Sequence, residues 1–304
     1  MSALRIGTRG SELALAQAEE VRTLLLQDEV EAEIVPITTT GDEGTPAGSA
    51  PIASSAGLKG LWIDAILDAL RNGEIDVAVH SAKDLPADDD DDLTIGAVPE
   101  RADPRDVLVL AEDREPGPGV RIGTSSLRRR AQLLAAFPGV QVVELRGNVP
   151  TRLRKVTDGE VDGAVLAAAG LARLGLAPAD ARELGVDVMV PAPGQGSLAV
   201  QCRTDDRSAR AVLTVLDHLP SRVALVTERA LVRRLDGGCS LPLGAIAAAK
   251  RDTVRLAGLV ASPDGARIVK AAAEAHEPDR AAGLVADQLL ERGAAAILEE
   301  ARGA

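Results

Sequence analysis

The chain has 304 residues and a formal net charge of -12, with 34 basic against 46 acidic side chains. That length allows two or three domains, each with its own core. Acidity spread along the chain argues against a general nucleic-acid binder, which needs a broad basic face, and no apolar run reaches the roughly 18 residues of a helical membrane span.

Hydrophobic residues make up 46%, yet Trp and Phe occur once each and Tyr is absent, so the cores must be built from Val, Leu, Ile and Ala. Cys202 and Cys239 are too few for a disulfide scaffold, and with His80, His218 and His276 they lack paired metal-ligand spacing. No metal site is expected. A strand-like Ala3-Leu4-Arg5-Ile6 at the start leaves no room for a signal peptide, so the expected compartment is the cytoplasm.

From the N-terminus, the pattern predicts a strand over Leu4–Gly7 and a helix over Ser11–Leu26. Ser11 is the N-cap, and Leu15, Val21, Leu24 and Leu25 form an apolar stripe. A strand over Ala32–Thr38 follows. Gly41–Gly60 is dense in Gly, Ser, Pro and Ala without periodicity, which suggests an active-site lid. A helix over Leu61–Arg71 stops at Asn72-Gly73, before strands over Ile75–His80 and Leu93–Val98. The segment Pro99-Glu100-Arg101-Ala102-Asp103-Pro104 suits a linker between domains. Strands over Asp106–Leu110, Val120–Gly123, Val140–Leu145, Gly163–Ala167 and Leu198–Arg203, with a helix over Leu127–Phe137, continue the alternation. This is the pattern of α/β units with largely parallel sheets.

A second boundary falls near Leu219-Pro220. After it, a helix over Ser221–Leu235 ends at Gly237-Gly238. Leu256–Ala261 and Arg267–Ala273 then flank Ser262-Pro263-Asp264-Gly265 as a hairpin, and a helix over Pro278–Arg292 closes a small α+β domain.

Four groups of residues carry chemistry. Arg121 to Lys155 holds eight basic residues against the single acid Glu144. Within it, the turn Gly123-Thr124-Ser125-Ser126 precedes Arg128-Arg129-Arg130 at a helix start. Backbone N–H groups and guanidinium forks together favour a polyanionic ligand there. Leu145-Arg146-Gly147-Asn148 with Thr151-Arg152 repeats the arrangement, which tilts two such turns in an acidic chain toward a lined cleft. His80-Ser81-Ala82-Lys83-Asp84-Leu85-Pro86 follows a strand, where open α/β sheets bind ligands. On spacing alone, a surface ion pair of Lys83 and Asp84 is the simpler reading. Cys239, after two glycines beyond a helix, points to a reactive or attachment residue, whereas Cys202 in an apolar strand reads as core.

The order of these motifs resembles the hydroxymethylbilane synthase (porphobilinogen deaminase) family. The matching segments are Arg5-Ile6-Gly7-Thr8-Arg9 with Ser11, Lys59-Gly60-Leu61, His80 to Pro86, Arg101-Ala102-Asp103-Pro104-Arg105-Asp106, Gly123 to Arg129, Leu145 to Asn148, Pro193-Gly194-Gln195-Gly196 and Gly237-Gly238-Cys239. They run in family order from residue 5 to at least 244.

The resemblance implies an α/β fold: two periplasmic-binding-protein-like α/β domains plus a small α+β C-terminal domain, with the active site in a cleft between the first two. The implied division is 1–98 with 198–217 for domain 1, 103–192 for domain 2, and 220–304 for domain 3. The implied reaction joins four porphobilinogen units head to tail, releases ammonia at each step, and hydrolyses the product to linear hydroxymethylbilane. Growth starts on a dipyrromethane cofactor held covalently, and the matched position makes Cys239 its attachment residue. Asp84 matches the catalytic aspartate, a carboxylate suited to the cation left when ammonia departs. By matched position, Arg9, Ser11, Lys83, Thr124, Ser126, Arg128, Arg129, Arg146 and Arg152 hold cofactor or substrate carboxylates. Gln195 joins them at the return crossing, and Lys59 guides substrate beside the lid. The family also implies a monomer and hand-off of product to the next tetrapyrrole-pathway enzyme.

Three positions depart from the commoner family pattern: Trp62 for phenylalanine, Ala82 for methionine and Asp236 for glutamate. Two readings from other classes compete. A non-catalytic anion-binding protein would need the arginines but neither Cys239 nor Asp84. A thiol enzyme would use Cys239 as a nucleophile that turns over.

Overall fold

The computed structural model describes residues 3–37, 55–88, 90–236 and 241–303, with the backbone alone at 55–62 and 303. The elements in chain order begin with β1 (Leu4–Arg9), α1 (Glu12–Gln27), β2 (Ala32–Ile37), α2 (Ser55–Arg71), β3 (Val77–Ser81) and β4 (Leu93–Ala97). There follow β5 (Asp106–Leu110), β6 (Arg121–Gly123), α3 (Leu127–Ala136), β7 (Gln141–Val143), α4 (Val149–Thr157), β8 (Gly163–Ala167), α5 (Ala168–Arg173) and β9 (Ala181–Leu184). The chain continues with β10 (Leu198–Arg203), α6 (Arg207–Leu213), α7 (Leu219–Arg234), β11 (Leu243–Lys250), β12 (Thr253–Ala261), β13 (Ile268–Ala275), α8 (Pro278–Glu291) and α9 (Ala294–Gly303).

The chain forms two compact units, Met1–Arg101 with Ser197–Arg222 and Ala102–Gly196 with Val223–Ala304. In the first, the sheet order is β2-β1-β3-β10-β4. Side chains alternate across β3: Val77 and Val79 pack with Ile6, Val21 and Leu25, while Ala78 packs with Ile66, Leu70 and Ile75 on the opposite face. Both faces are covered, as a buried sheet requires. Gly7 belongs to the packing, because a Cβ there would sit 2.1 Å from Ile75 Cδ1.

The second unit contains a sheet of order β7-β6-β8-β5-β9 and a three-stranded sheet β11-β12-β13. Leu108, Ile122, Leu133, Val165 and Met189 fill one side of the larger sheet, and Val107, Val109, Leu166 and Leu171 the other. The antiparallel small sheet packs its Val254, Leu256 and Val260 against Leu231 of α7, Val285 and Leu289 of α8 and Leu298 of α9. Ala131 of α3 and Val190 join Leu259 and Ala261 of β12 in a separate cluster. The result is two α/β sheet domains and a small α+β domain.

The expectation of largely parallel sheets needs correction. In each five-stranded sheet two pairings are parallel, β1 with β2 and β3, and β6 with β7 and β8. The other two are antiparallel, because β10 and β5 run against both neighbours. These reversed strands carry the chain into and out of each sheet from a distance in sequence. The expected loop over Gly41–Gly60 also changes: residues 55–60 belong to α2, and 41–54 lie outside the described residues.

Candidate functional site

In the first unit, parallel neighbours β1 and β3 end side by side, so their following residues meet at one sheet edge. Arg9 closes β1. Ser11 caps α1 by accepting from the Ala14 N–H at 3.3 Å, and the Thr8 hydroxyl donates to the Ala14 carbonyl at 3.2 Å. β3 runs into a single 3-10 turn, Ala82–Asp84, whose first N–H donates to the Ser197 carbonyl. Gln17 of α1 donates to the Ser81 hydroxyl at 2.7 Å. An open pocket lies here, with Arg9, Ser11, Gln17, His80, Ser81 and Asp84 in its wall. Lys83 sits on the same turn, half-buried. Burial pushes the His80 imidazole down to about 4, against the upward pull of the Asp84 charge.

In the second unit, two helix starts adjoin the ends of β6 and β7. The Ser126 N–H donates to the Thr124 hydroxyl oxygen at 3.2 Å, and Ser126 caps α3 by accepting from the Arg129 N–H at 3.4 Å. Asn148 caps α4 by accepting from the Thr151 N–H at 2.9 Å. Behind them lies a buried ion cluster. Asp106, fully buried at the start of β5, accepts from Arg128 Nη1 at 2.8 Å, from Arg129 Nε and Nη2 at 3.1 and 2.7 Å, and from Gln195 Nε2 at 3.0 Å. Arg128 also donates to the Val190 carbonyl and Arg129 to the Val165 carbonyl. Burial alone would raise the Asp106 carboxyl, but the charges of Arg128 and Arg129 outweigh it and hold the group well below the usual carboxylate range.

Gln195 is placed by its loop. It donates to the Pro104 carbonyl at 2.7 Å, while the Gly194 N–H donates to the Glu228 carboxylate at 2.6 Å. Gly196 has φ +88°, and a Cβ there would lie 2.4 Å from the Ala102 carbonyl oxygen, so only glycine fits. Arg152 donates to the Gly147 carbonyl at 2.8 Å. Burial, and then the nearby charge of Arg129, lower its pKa, which shows that cations converge here. Arg146 is the outlier: its side chain is 66% exposed and pairs with Glu144 at 2.6 Å.

Residues 4–211 match the family described as "Porphobilinogen deaminase, dipyromethane cofactor binding domain", and residues 223–291 match "Porphobilinogen deaminase, C-terminal domain". Porphobilinogen deaminase of Syntrophotalea carbinolica is 46% identical over 304 residues, covering 98% of this chain and 95% of its own. That of Acidithiobacillus ferrooxidans is 44% identical over 307 residues, covering 99% of both. Among solved structures, the second substrate binding domain of a putative amino acid ABC transporter from Streptococcus pneumoniae aligns with TM-score 0.42 and 9% identity, over 76% of this chain and 94% of that one.

The chain belongs to the porphobilinogen deaminase family. Its activity is that of a hydroxymethylbilane synthase, a transferase of tetrapyrrole biosynthesis with a dipyrromethane cofactor. Within the chain, Arg9, Ser11 and Asp84 meet in one pocket, and Arg128, Arg129 and Gln195 meet on Asp106. Lys59 falls within α2 with its side chain outside the described residues, as are Trp62's side chain and the whole of Cys239. Sequence reasoning gave no role to Asp106, although a carboxylate opening an otherwise apolar strand is a signal. It also gave none to Gln17 or Ser81. No helix among the described residues is long and apolar enough to cross a membrane, and they contain no cluster of metal-ligating side chains.

Proposed function

We propose that the pocket of the first unit carries out the deamination step, with Asp84 as the catalytic carboxylate. The supporting observation is that Asp84 shares that pocket with Arg9 and Ser11 at the carboxyl ends of β1 and β3. A carboxylate there offsets positive charge on the substrate carbon as ammonia leaves, and in a partly desolvated wall its field is stronger than in water. Arg9, Ser11 and Lys83 supply donors for the carboxylates of porphobilinogen.

Thr124, Ser126, Arg146 and Arg152 form a second donor set, within the second unit. Arg128 and Arg129 act there through the positive field of a cluster in which Asp106 offsets one charge of two, and Gln195 secures that carboxylate. Such an excess of cations suits a ligand whose acidic groups multiply as pyrroles are added. The donor set therefore fits the dipyrromethane cofactor, which would supply the pyrrole carbon that bonds to the first incoming unit. Cys239 is the proposed attachment residue, and Lys59 the proposed guide for incoming substrate.

The domain division proposed is 1–98 with 198–217, 103–192 and 220–304, supported by β10 pairing within the first sheet. A monomer in the cytoplasm that hands its product to the next tetrapyrrole-pathway enzyme completes this reading, with light scattering and cell fractionation as its tests. The decisive variant is Asp84→Asn. We expect kcat to fall by about 10²-fold or more, the order seen when a preorganised charge-stabilising group is removed, with the cofactor still attached. Turnover within a few-fold of the parent would remove Asp84 from this role.

A further inference from the structure

The pocket holds a buried imidazole that none of these roles uses. His80 lies on β3, where its backbone registers with Ala199 of β10. Strand alternation puts it on the face of Ala78, and Ile63 and Ile66 of α2 line the pocket with it. The residue is 8% exposed, and its Nε2 has no hydrogen-bond partner among the described residues. Buried polar atoms in native proteins are nearly always paired, so an exception in a pocket wall marks where a ligand supplies the partner.

Burial holds the ring neutral above pH 4 or so, even beside Asp84. A neutral ring offers one N–H and one lone pair. The Asp84 charge then decides which ligand group fits. A ligand carboxylate at Nε2 would face a like charge, whereas an N–H donor is favoured by it.

We propose that His80 Nε2 accepts a hydrogen bond from a pyrrole N–H of the bound chain, fixing the tilt of that ring beside Asp84 while cationic side chains hold its carboxylates. This deepens the synthase reading and rests on it. No covalent bond changes at His80, and no proton moves. A protonated ring would present a donor where an acceptor is needed, and its charge would offset the negative field of Asp84. Burial against α2 preserves both functions.

The chain has three histidines, so ring nitrogens of 15N-histidine-labelled holoenzyme can be assigned by difference against His80→Asn. On loading with porphobilinogen, the Nε2 resonance of His80 should move from the position of a bare lone pair toward that of a hydrogen-bonded acceptor. His80→Phe, which has no acceptor, should lower kcat/KM by about tenfold, the worth of one well-placed hydrogen bond. His80→Gln, whose amide oxygen reaches the place of Nε2, should recover most of that loss. An unmoved His80 resonance in a sample that forms linear bilane would overturn this inference and leave the synthase reading standing. Failure of the unmodified holoenzyme to form bilane would overturn both.

Discussion

Replacing Asp106 by Asn tests the buried ion cluster directly. The aspartate is 0% exposed, and it bonds Arg128 and Arg129, whose side chains are 4% and 8% exposed. Removing its charge leaves two cations buried without their counterion. An asparagine keeps one carbonyl oxygen, which can still serve Arg129 and Gln195 on the side of the present Oδ1. Its amide then faces Arg128 Nη1, donor against donor, in place of the 2.8 Å bond to Oδ2. Breaking a buried pair from one side costs about 3–5 kcal/mol. Hydrogen exchange of the β5 and β8 amides should report that loss as faster opening of the sheet, and urea unfolding followed by circular dichroism should show the same magnitude. The cost should shrink in an Arg128→Met background, because one of the stranded cations is then gone. A loss below about 1 kcal/mol, or the same loss in both backgrounds, would contradict the cluster as described.

Gly196→Ala should destabilise the return loop by more than the ordinary glycine-to-alanine difference of about 1 kcal/mol, because φ is +88° and a Cβ would meet the Ala102 carbonyl oxygen at 2.4 Å; thermal unfolding checks this, and an unchanged Tm would refute it. Acid should weaken the fold through His80. Its folded-state value lies below that of the unfolded chain, 6.5 lowered to about 4, so the unfolded chain takes the proton first. Stability should be flat above pH 6.5 and fall by about 3 kcal/mol between there and pH 4, at ~1.4 kcal/mol per pH unit. In His80→Asn that slope should disappear; a slope identical to the parent's would assign the loss to other groups.

Local pattern carried much of the fold. The strands Asp106–Leu110, Gly163–Ala167 and Leu198–Arg203 have the same bounds in sequence and structure, and Ser11 and Ser126 cap the helices that follow them. Strand direction was not legible, because β10 finds its partners in β3 and β4 about a hundred residues upstream. β9 was missed as an edge strand whose first three residues, Ala181-Arg182-Glu183, are exposed and show no apolar alternation. β11 was missed because four of its eight residues are alanine, a weak strand former. The site was legible as residue types but not as a network. Arg128 and Arg129 stood out as arginines at a helix start, yet their acceptor Asp106 lies more than twenty residues earlier, and only the folded sheet brings it beneath them.

The most direct test of the account is the intact mass of the purified protein, with any added mass mapped by peptide digestion. The account expects an increment equal to two linked pyrrole units, located on the peptide that contains Cys239. A Cys239 peptide that is unmodified, and stays so after incubation with porphobilinogen, would contradict the tethered cofactor and the synthase mechanism built on it.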